Sequence, residues 1–111
     1  MDISNKDNDF LNKFKQKVLH AFPHRIKSIT LFGSRATGRA KRDSDYDVFI
    51  MVDSRDRTLV ETLFDIAYDI YIESNLTFDI SPVIMSEDFF NSRLSQERRI
   101  AREIVEQGIP L

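Results

Sequence analysis

Phe10, Phe14, Val18 and the pair Ala21/Phe22 recur at helical spacing, which predicts an amphipathic helix over about residues 9–22. Pro23 ends it, because proline disfavours helical dihedrals in the residue before it. The stretch IKSITLF then alternates, Ile29 and Leu31 facing one way and Thr30 and Phe32 the other, as a strand does. Gly33-Ser34 breaks that strand, and a short helical turn through Ala36 ends near Gly38. YDVFIMV is apolar on both faces and reads as a central strand. Thr58 and Glu61 have capping-box spacing, and Leu59/Val60, Leu63, Ala67 and Ile70 carry a long helix to about Ile72. LTFDISPVIM reads as a third strand, at its end or at a sheet edge near Pro82, which has no amide to donate. Ser86 before Glu87-Asp88 marks a helix start. A last helix over about residues 95–107 turns Leu94, Ala101, Ile104 and Val105 inward, with Gly108 and Pro110 placed to stop it.

The order helix, strand, strand, helix, strand, helix, helix predicts an α/β (α+β) sandwich, a small mixed sheet flanked by helices. With 111 residues, 41% of them hydrophobic and nine of them phenylalanine, the chain has material for one domain and one two-layer core. Net charge is −2, so a strongly basic surface for duplex DNA is not expected. There is no cysteine, which excludes disulfides and thiolate zinc sites and fits a reducing, cytoplasmic setting. The polar, acidic start MDISNKDNDF does not read as a signal peptide, and no apolar run has the length a membrane helix needs.

The chemistry is concentrated in FGSRATGRAKRDSDYDVFI. Asp45 and Asp47 enter the second strand two positions apart and therefore point to one face. Phe49 and Met51 continue that face into the core, leaving the acids at its rim. Two adjacent carboxylates repel unless a cation lies between them or one is protonated. A hard divalent ion with oxygen ligands, Mg2+ above all, relieves this. The glycine turn supplies the opposite property. Gly33 lets the backbone approach a ligand closely, the free amides after it suit phosphate, and Ser34 adds a hydroxyl. Arg35, Arg39, Lys41 and Arg42 lie beside the turn. Metal-holding acids opposite an anion-holding turn suit ATP complexed with Mg2+. Asp79, between Phe78 and Ile80, points away from both and joins Asp45 and Asp47 if the third strand lies beside the second. Two metal ions held in this way activate an attacking hydroxyl and neutralise a leaving pyrophosphate.

Gly33-Ser34, ten residues, then Asp45-Tyr46-Asp47 resembles the G-S-x10-D-x-D signature of the nucleotidyltransferase superfamily, the polymerase-β-like fold. The short chain, with FDISPVIMSEDFF and IVEQGIPL, resembles the minimal nucleotidyltransferases that are antitoxin partners of HEPN-domain toxins. The resemblance implies Gly33 and Ser34 at the triphosphate, Asp45 and Asp47 on the metals, and Asp79 as third carboxylate and general base. It implies transfer of AMP from ATP to a tyrosine of the paired toxin. A chain this short fits an acceptor presented by a partner surface, or an oligomer.

Other readings compete at each place. Asp43, Asp45 and Asp47 match the start of a calcium loop, but Val48 and Ser54 stand where that loop requires glycine and glutamate. The chain could silence a toxin by contact alone, or modify a small molecule such as an aminoglycoside, although such enzymes carry an extra acceptor domain. Lys41 and Arg42 read as solvated, and Arg35 and Arg39 as the nearer to phosphate. His20 and His24 read as surface residues, QERRIARE as a solvated charged face, and Phe89, Phe90 and Leu94 as core or partner-facing.

Overall fold

The computed structural model describes residues 5–111. The polar beginning of the chain lies in part at residues 1–4, outside the described residues. From there the chain runs α1 (Asn5–Ala21), β1 (Ile26–Phe32), α2 (Ser34–Thr37), β2 (Tyr46–Val52), α3 (Arg57–Glu73), β3 (Ile80–Ser86), α4 (Glu87–Ser95), α5 (Arg99–Gln107) and β4 (Ile109–Pro110). The strands form one mixed sheet in the order β3-β2-β1-β4. β1 is antiparallel to β2 and β4, and β2 is parallel to β3 through the α3 crossover. β2 is interior, as its two apolar faces require. β3 is an edge strand, which is why Pro82 is tolerated opposite Val48.

Period-two alternation gives each sheet face its own core. Ile29, Leu31, Tyr46, Val48, Ile50 and Val52 pack on one face against Leu11, Phe14 and Val18 of α1 and Leu59, Leu63, Ile66 and Ile70 of α3. Phe32 and Phe49 pack on the other face against Phe90 of α4 and Ala101 and Ile104 of α5. The first core holds seventeen buried residues and the second five, so the α1/α3 face carries most of the stabilising burial.

Several local expectations are corrected. Asp56, not Thr58, caps α3, accepting from the Leu59 amide at 2.9 Å. Asp56 also pairs with Arg25 at 2.7 Å. The last helix begins at Arg99 rather than near Ser95, which ends α4, and Val105 is exposed on the outer side of α5. The break falls where Glu97 adopts a left-handed φ of 55°. β4 was not legible as a strand: its two residues pair with Thr30 and Leu31. Gly108 stops α5 through close approach rather than a left-handed turn. A Cβ there would lie 2.3 Å from the Ile104 carbonyl oxygen and 2.5 Å from Thr30 Cγ2. Ser86 caps α4 as expected, accepting from the Phe89 amide. Phe90 is core and Phe89 is exposed. Among the described residues no helix is long and apolar enough to cross a membrane.

Candidate active site

Phe32, the last residue of β1, pairs with Asp47 near the start of β2. The chain must turn directly after Phe32, and Gly33 does so at φ 76° and ψ −158°, a region open essentially to glycine alone. Its missing side chain is used. A Cβ on Gly33 would lie 2.4 Å from Asp47 Oδ2, so the carboxylate occupies that space. The turn and the second aspartate are thereby neighbours across two strands. α2 begins at Ser34 with the Ala36 and Thr37 amides bonded to the Gly33 carbonyl, and Gly38 closes it in the left-handed region.

Asp79 lies one residue before β3 rather than within it. The parallel register that pairs Tyr46 with Ile80 and Asp47 with Ser81 continues backward to set Asp79 beside Asp45. The Tyr46 amide donates to the Asp79 carbonyl at 2.8 Å and fixes that register. A residue the sequence did not signal positions this corner. Ser74, buried at the end of α3, donates to the Tyr71 carbonyl and accepts from the Phe78 amide at 2.8 Å. Phe78 is thereby held with its ring stacked on Tyr46 at 4.2 Å and on Phe10 at 5.2 Å. With Phe78 and Ile80 buried, the alternating residue Asp79 is left outside with the other acids.

The charge of Asp45 acts on both of the other acids. Burial raises the Asp47 carboxyl above the ordinary carboxylate range, and the charges of Asp45 and Glu103 raise it further. Desolvation raises Asp79, with added contributions from the Asp45 charge and an Asp45 hydrogen bond. No cation among the described residues pairs with any of the three in an ion pair. Nor do three carboxylates already converge on a finished cation cage among the described residues. The donor set is nonetheless all oxygen, anionic, partly exposed and mutually repelling, which fits a hard divalent ion such as Mg2+. Glu103 of α5 is a fourth nearby carboxylate that the sequence reading placed only on a charged helix face.

The basic residues divide. Arg35 turns back onto the protein: it donates to the Ser44 carbonyl at 2.9 Å and the Arg42 carbonyl at 3.3 Å, and stacks 4.5 Å from the Tyr46 ring. It braces the loop that delivers Asp45 and Asp47. Tyr46 itself is buried and donates its hydroxyl to Asp7 of α1; burial, ahead of that bond, pushes its pKa up. Arg39 bonds Thr37 Oγ1 and lines a cleft of about 360 Å3 with Arg99, Arg102 and Glu103. On the other side Asp45 and Asp79 line a groove of about 490 Å3 walled by Phe64, Tyr68, Tyr71 and Pro82. Glu97 and Glu106 line the first cleft too, Arg102 pairing with Glu106, so its charges are mixed; of the two cavities only the aromatic groove is lined by Asp45 and Asp79. Lys41 and Arg42 are exposed, as are His20 and His24.

Known proteins resemble this chain in sequence and in fold. The family described as nucleotidyltransferase domain matches residues 11–107. A protein of Methanocaldococcus jannaschii named "Putative protein adenylyltransferase MJ0604" is 30% identical over 102 residues, covering 90% of this chain and 88% of that one. A crystal structure described as a toxin-antitoxin with AMP-PNP superposes with a TM-score of 0.58 at 22% identity, over 87% of this chain and 68% of that chain. A mutant of the toxin-antitoxin MntA-HpeT superposes at 0.56 with 19% identity, over 94% and 70% of the two chains. These two likenesses show a shared fold. The family match spans both sheet faces, the glycine turn and all three acids, and by it this chain belongs to the nucleotidyltransferase family.

Proposed function

We propose that the chain transfers AMP from Mg2+-bound ATP to a hydroxyl of a partner protein, a tyrosine of a HEPN-domain toxin, and acts as its antitoxin. The observation that carries the transfer chemistry is the contact between turn and acid: Asp47 Oδ2 fills the space above Gly33 while Asp45 and Asp79 share the same end of the sheet. A triphosphate held at one is within reach of the other. The free amides opening α2 and the Ser34 hydroxyl face phosphate oxygens, with Arg39 just beyond the turn as the nearer exposed cation. Asp45, Asp47 and Asp79 would hold the metal, which when bound neutralises charge on the triphosphate and on the departing pyrophosphate. Asp79, which lines the groove and whose carboxyl is raised by desolvation, accepts the proton leaving the attacking hydroxyl.

A protein acceptor is supported by the surface beside the groove. Phe64, Tyr68, Ile72 and Leu76 form an exposed apolar stripe down α3 and its final turn. Asn75 and Leu76 both hold left-handed φ values, 61° and 62°, and Leu76 is 57% exposed there. The named adenylyltransferase relative and the toxin-antitoxin neighbours support the same acceptor class. The test is incubation with labelled ATP, Mg2+ and the product of the adjacent gene, followed by tandem mass spectrometry. Label on a tyrosine of that protein, lost with Asp45→Asn and Asp47→Asn together, is the expected result. A toxin neutralised as well by that double variant as by the native chain would show masking by contact instead.

A further inference from the structure

We infer that Tyr68 is itself an acceptor, so that in the absence of a partner the chain adenylylates its own α3. The inference rests on the transferase reading above and adds a modification site to it.

The chain has three tyrosines, and the structure separates them. Tyr46 is buried beneath Phe78 and its hydroxyl is engaged by Asp7. Tyr71 is half-buried, and its carbonyl is tied into the turn that Ser74 and Leu76 close. Tyr68 is 62% exposed, and its hydroxyl makes no hydrogen bond among the described residues. It also lines the groove that Asp45 and Asp79 line. An acceptor must combine a free hydroxyl, access to the acids and freedom to move toward phosphorus. Tyr71 lines the same groove, but its ring is half-buried, so Tyr68 is the one of the two with the freedom to move toward phosphorus. Its exposed ring gives the side chain its rotamers at little packing cost. It stands one helical turn beyond Phe64, with Pro82 of the β3 edge among the other walls of the groove. These are apolar surfaces suited to holding a phenol ring and not a polyphosphate.

The step balances with Mg2+-ATP as the sole co-reactant. Tyr68 Oη forms a bond to the α-phosphorus, and the bond from that phosphorus to the bridging oxygen of the β-phosphate breaks. Pyrophosphate departs with the electron pair. The phenolic proton passes to the Asp79 carboxylate, which lines the same groove, and from there to water. The product is a tyrosyl phosphodiester of AMP on the outer face of α3.

The experiment uses the full chain alone with Mg2+ and ATP, read by intact mass and by fragmentation of the modified peptide. The expected result is one AMP adduct mapped to Tyr68, retained in Tyr71→Phe and lost in Tyr68→Phe. The fraction modified per unit time is independent of protein concentration, since acceptor and acids share one groove. Tyr68→Phe keeps the ring and the packing, so its melting temperature and its Mg2+-ATP binding by calorimetry stay at native values. An unmodified Tyr68 in a preparation that still labels the adjacent gene product overturns this inference and leaves the transferase reading standing. No adduct and no label on either protein overturns both. An adduct on Tyr71, or a rate that rises with protein concentration, overturns the intramolecular assignment to Tyr68.

Discussion

The two faces of β2 are built from one seven-residue run and do different work. Tyr46, Val48, Ile50 and Val52 are sealed beneath α1 and α3 to the very start of the strand. On the opposite face Phe49 and Met51 are covered by α4 and α5, but Asp47 and Asp45 emerge where that cover stops. The apolar face is closed over its whole length and supplies the rigidity. The other is left open at one end, and that end holds groups whose repulsion the fold does not relieve. A stable face can support an electrostatically unfavourable one because the two share a backbone and differ only in alternation.

The largest effect belongs to the closed face. Phe14 is fully buried between α1 and the sheet, and Phe14→Ala should cost about 3–5 kcal/mol of stability. That is a large part of what a domain of this size has, so urea unfolding should show an early midpoint or loss of the cooperative transition. A loss below 1 kcal/mol, on the order of a surface substitution, would break the division between the faces.

The open face should respond in the reverse sense. Asp45→Asn with Asp47→Asn should lower transfer by at least about a hundredfold, since even groups that only support a metal ligand cost about 10- to 100-fold when removed. Stability should hold or rise. The Asp47 pKa is raised by burial, so its ionised form opposes folding at neutral pH, and asparagine removes that charge. Parallel melting curves and ATP turnover assays check both halves. A variant that loses activity because it unfolds would show that these acids are structural.

Gly33 joins the two faces, and Gly33→Ala tests the joint. The new Cβ must displace Asp47 Oδ2 from 2.4 Å and adopt a backbone region that costs of order 1–3 kcal/mol. Transfer and Mg2+-ATP affinity should both fall, by more than the melting temperature alone explains. Normal affinity in a folded Gly33→Ala protein would separate the turn from the acids.

Much of this arrangement was legible in the residues. The G-S turn followed by D-x-D pointed to one neighbourhood, and Gly33 and Asp47 do meet there, because alternation is a property of the strand backbone. Asp79 was reachable by the same rule once Phe78 and Ile80 were read as core. What was not legible depends on distant partners. Arg35 looks like a phosphate ligand in sequence, yet its bonds go to Ser44 and Arg42 carbonyls and its plane to Tyr46. Ser74 has no sequence signature, because its function comes from being buried under a turn. Val105 keeps helical spacing to Ala101 within α5 and is nonetheless exposed, since spacing does not reveal how wide a stripe the sheet covers. β4 is two residues long and exists only because β1 offers it an edge.

The smallest effect lies far from both faces, where Arg25 clips the loop after β2. It donates to Asp53 at 3.0 Å and to Asp56 at 2.7 Å. Asp53 is held below its ordinary pKa first by the Ser54 amide and then by Arg25, and Asp56 first by the Leu59 amide and then by Arg25. Both folded values are depressed, so the stabilisation is fully present above the unfolded carboxylate pKa. It is lost as pH falls through the depressed folded values. The groups are exposed and salt screens them, so the change is small and should shrink at high ionic strength. Melting temperature against pH, from neutral into the acid range, should fall less steeply for Asp53→Asn with Asp56→Asn than for the native chain. Asp47 and Asp79 work in the opposite direction over their own window, because their folded values are raised. In Asp47→Asn that opposing contribution is diminished, and the acid-side decline left by the clip should steepen. Identical slopes in the native and both variant proteins would mean that neither end of the sheet sets its acid response.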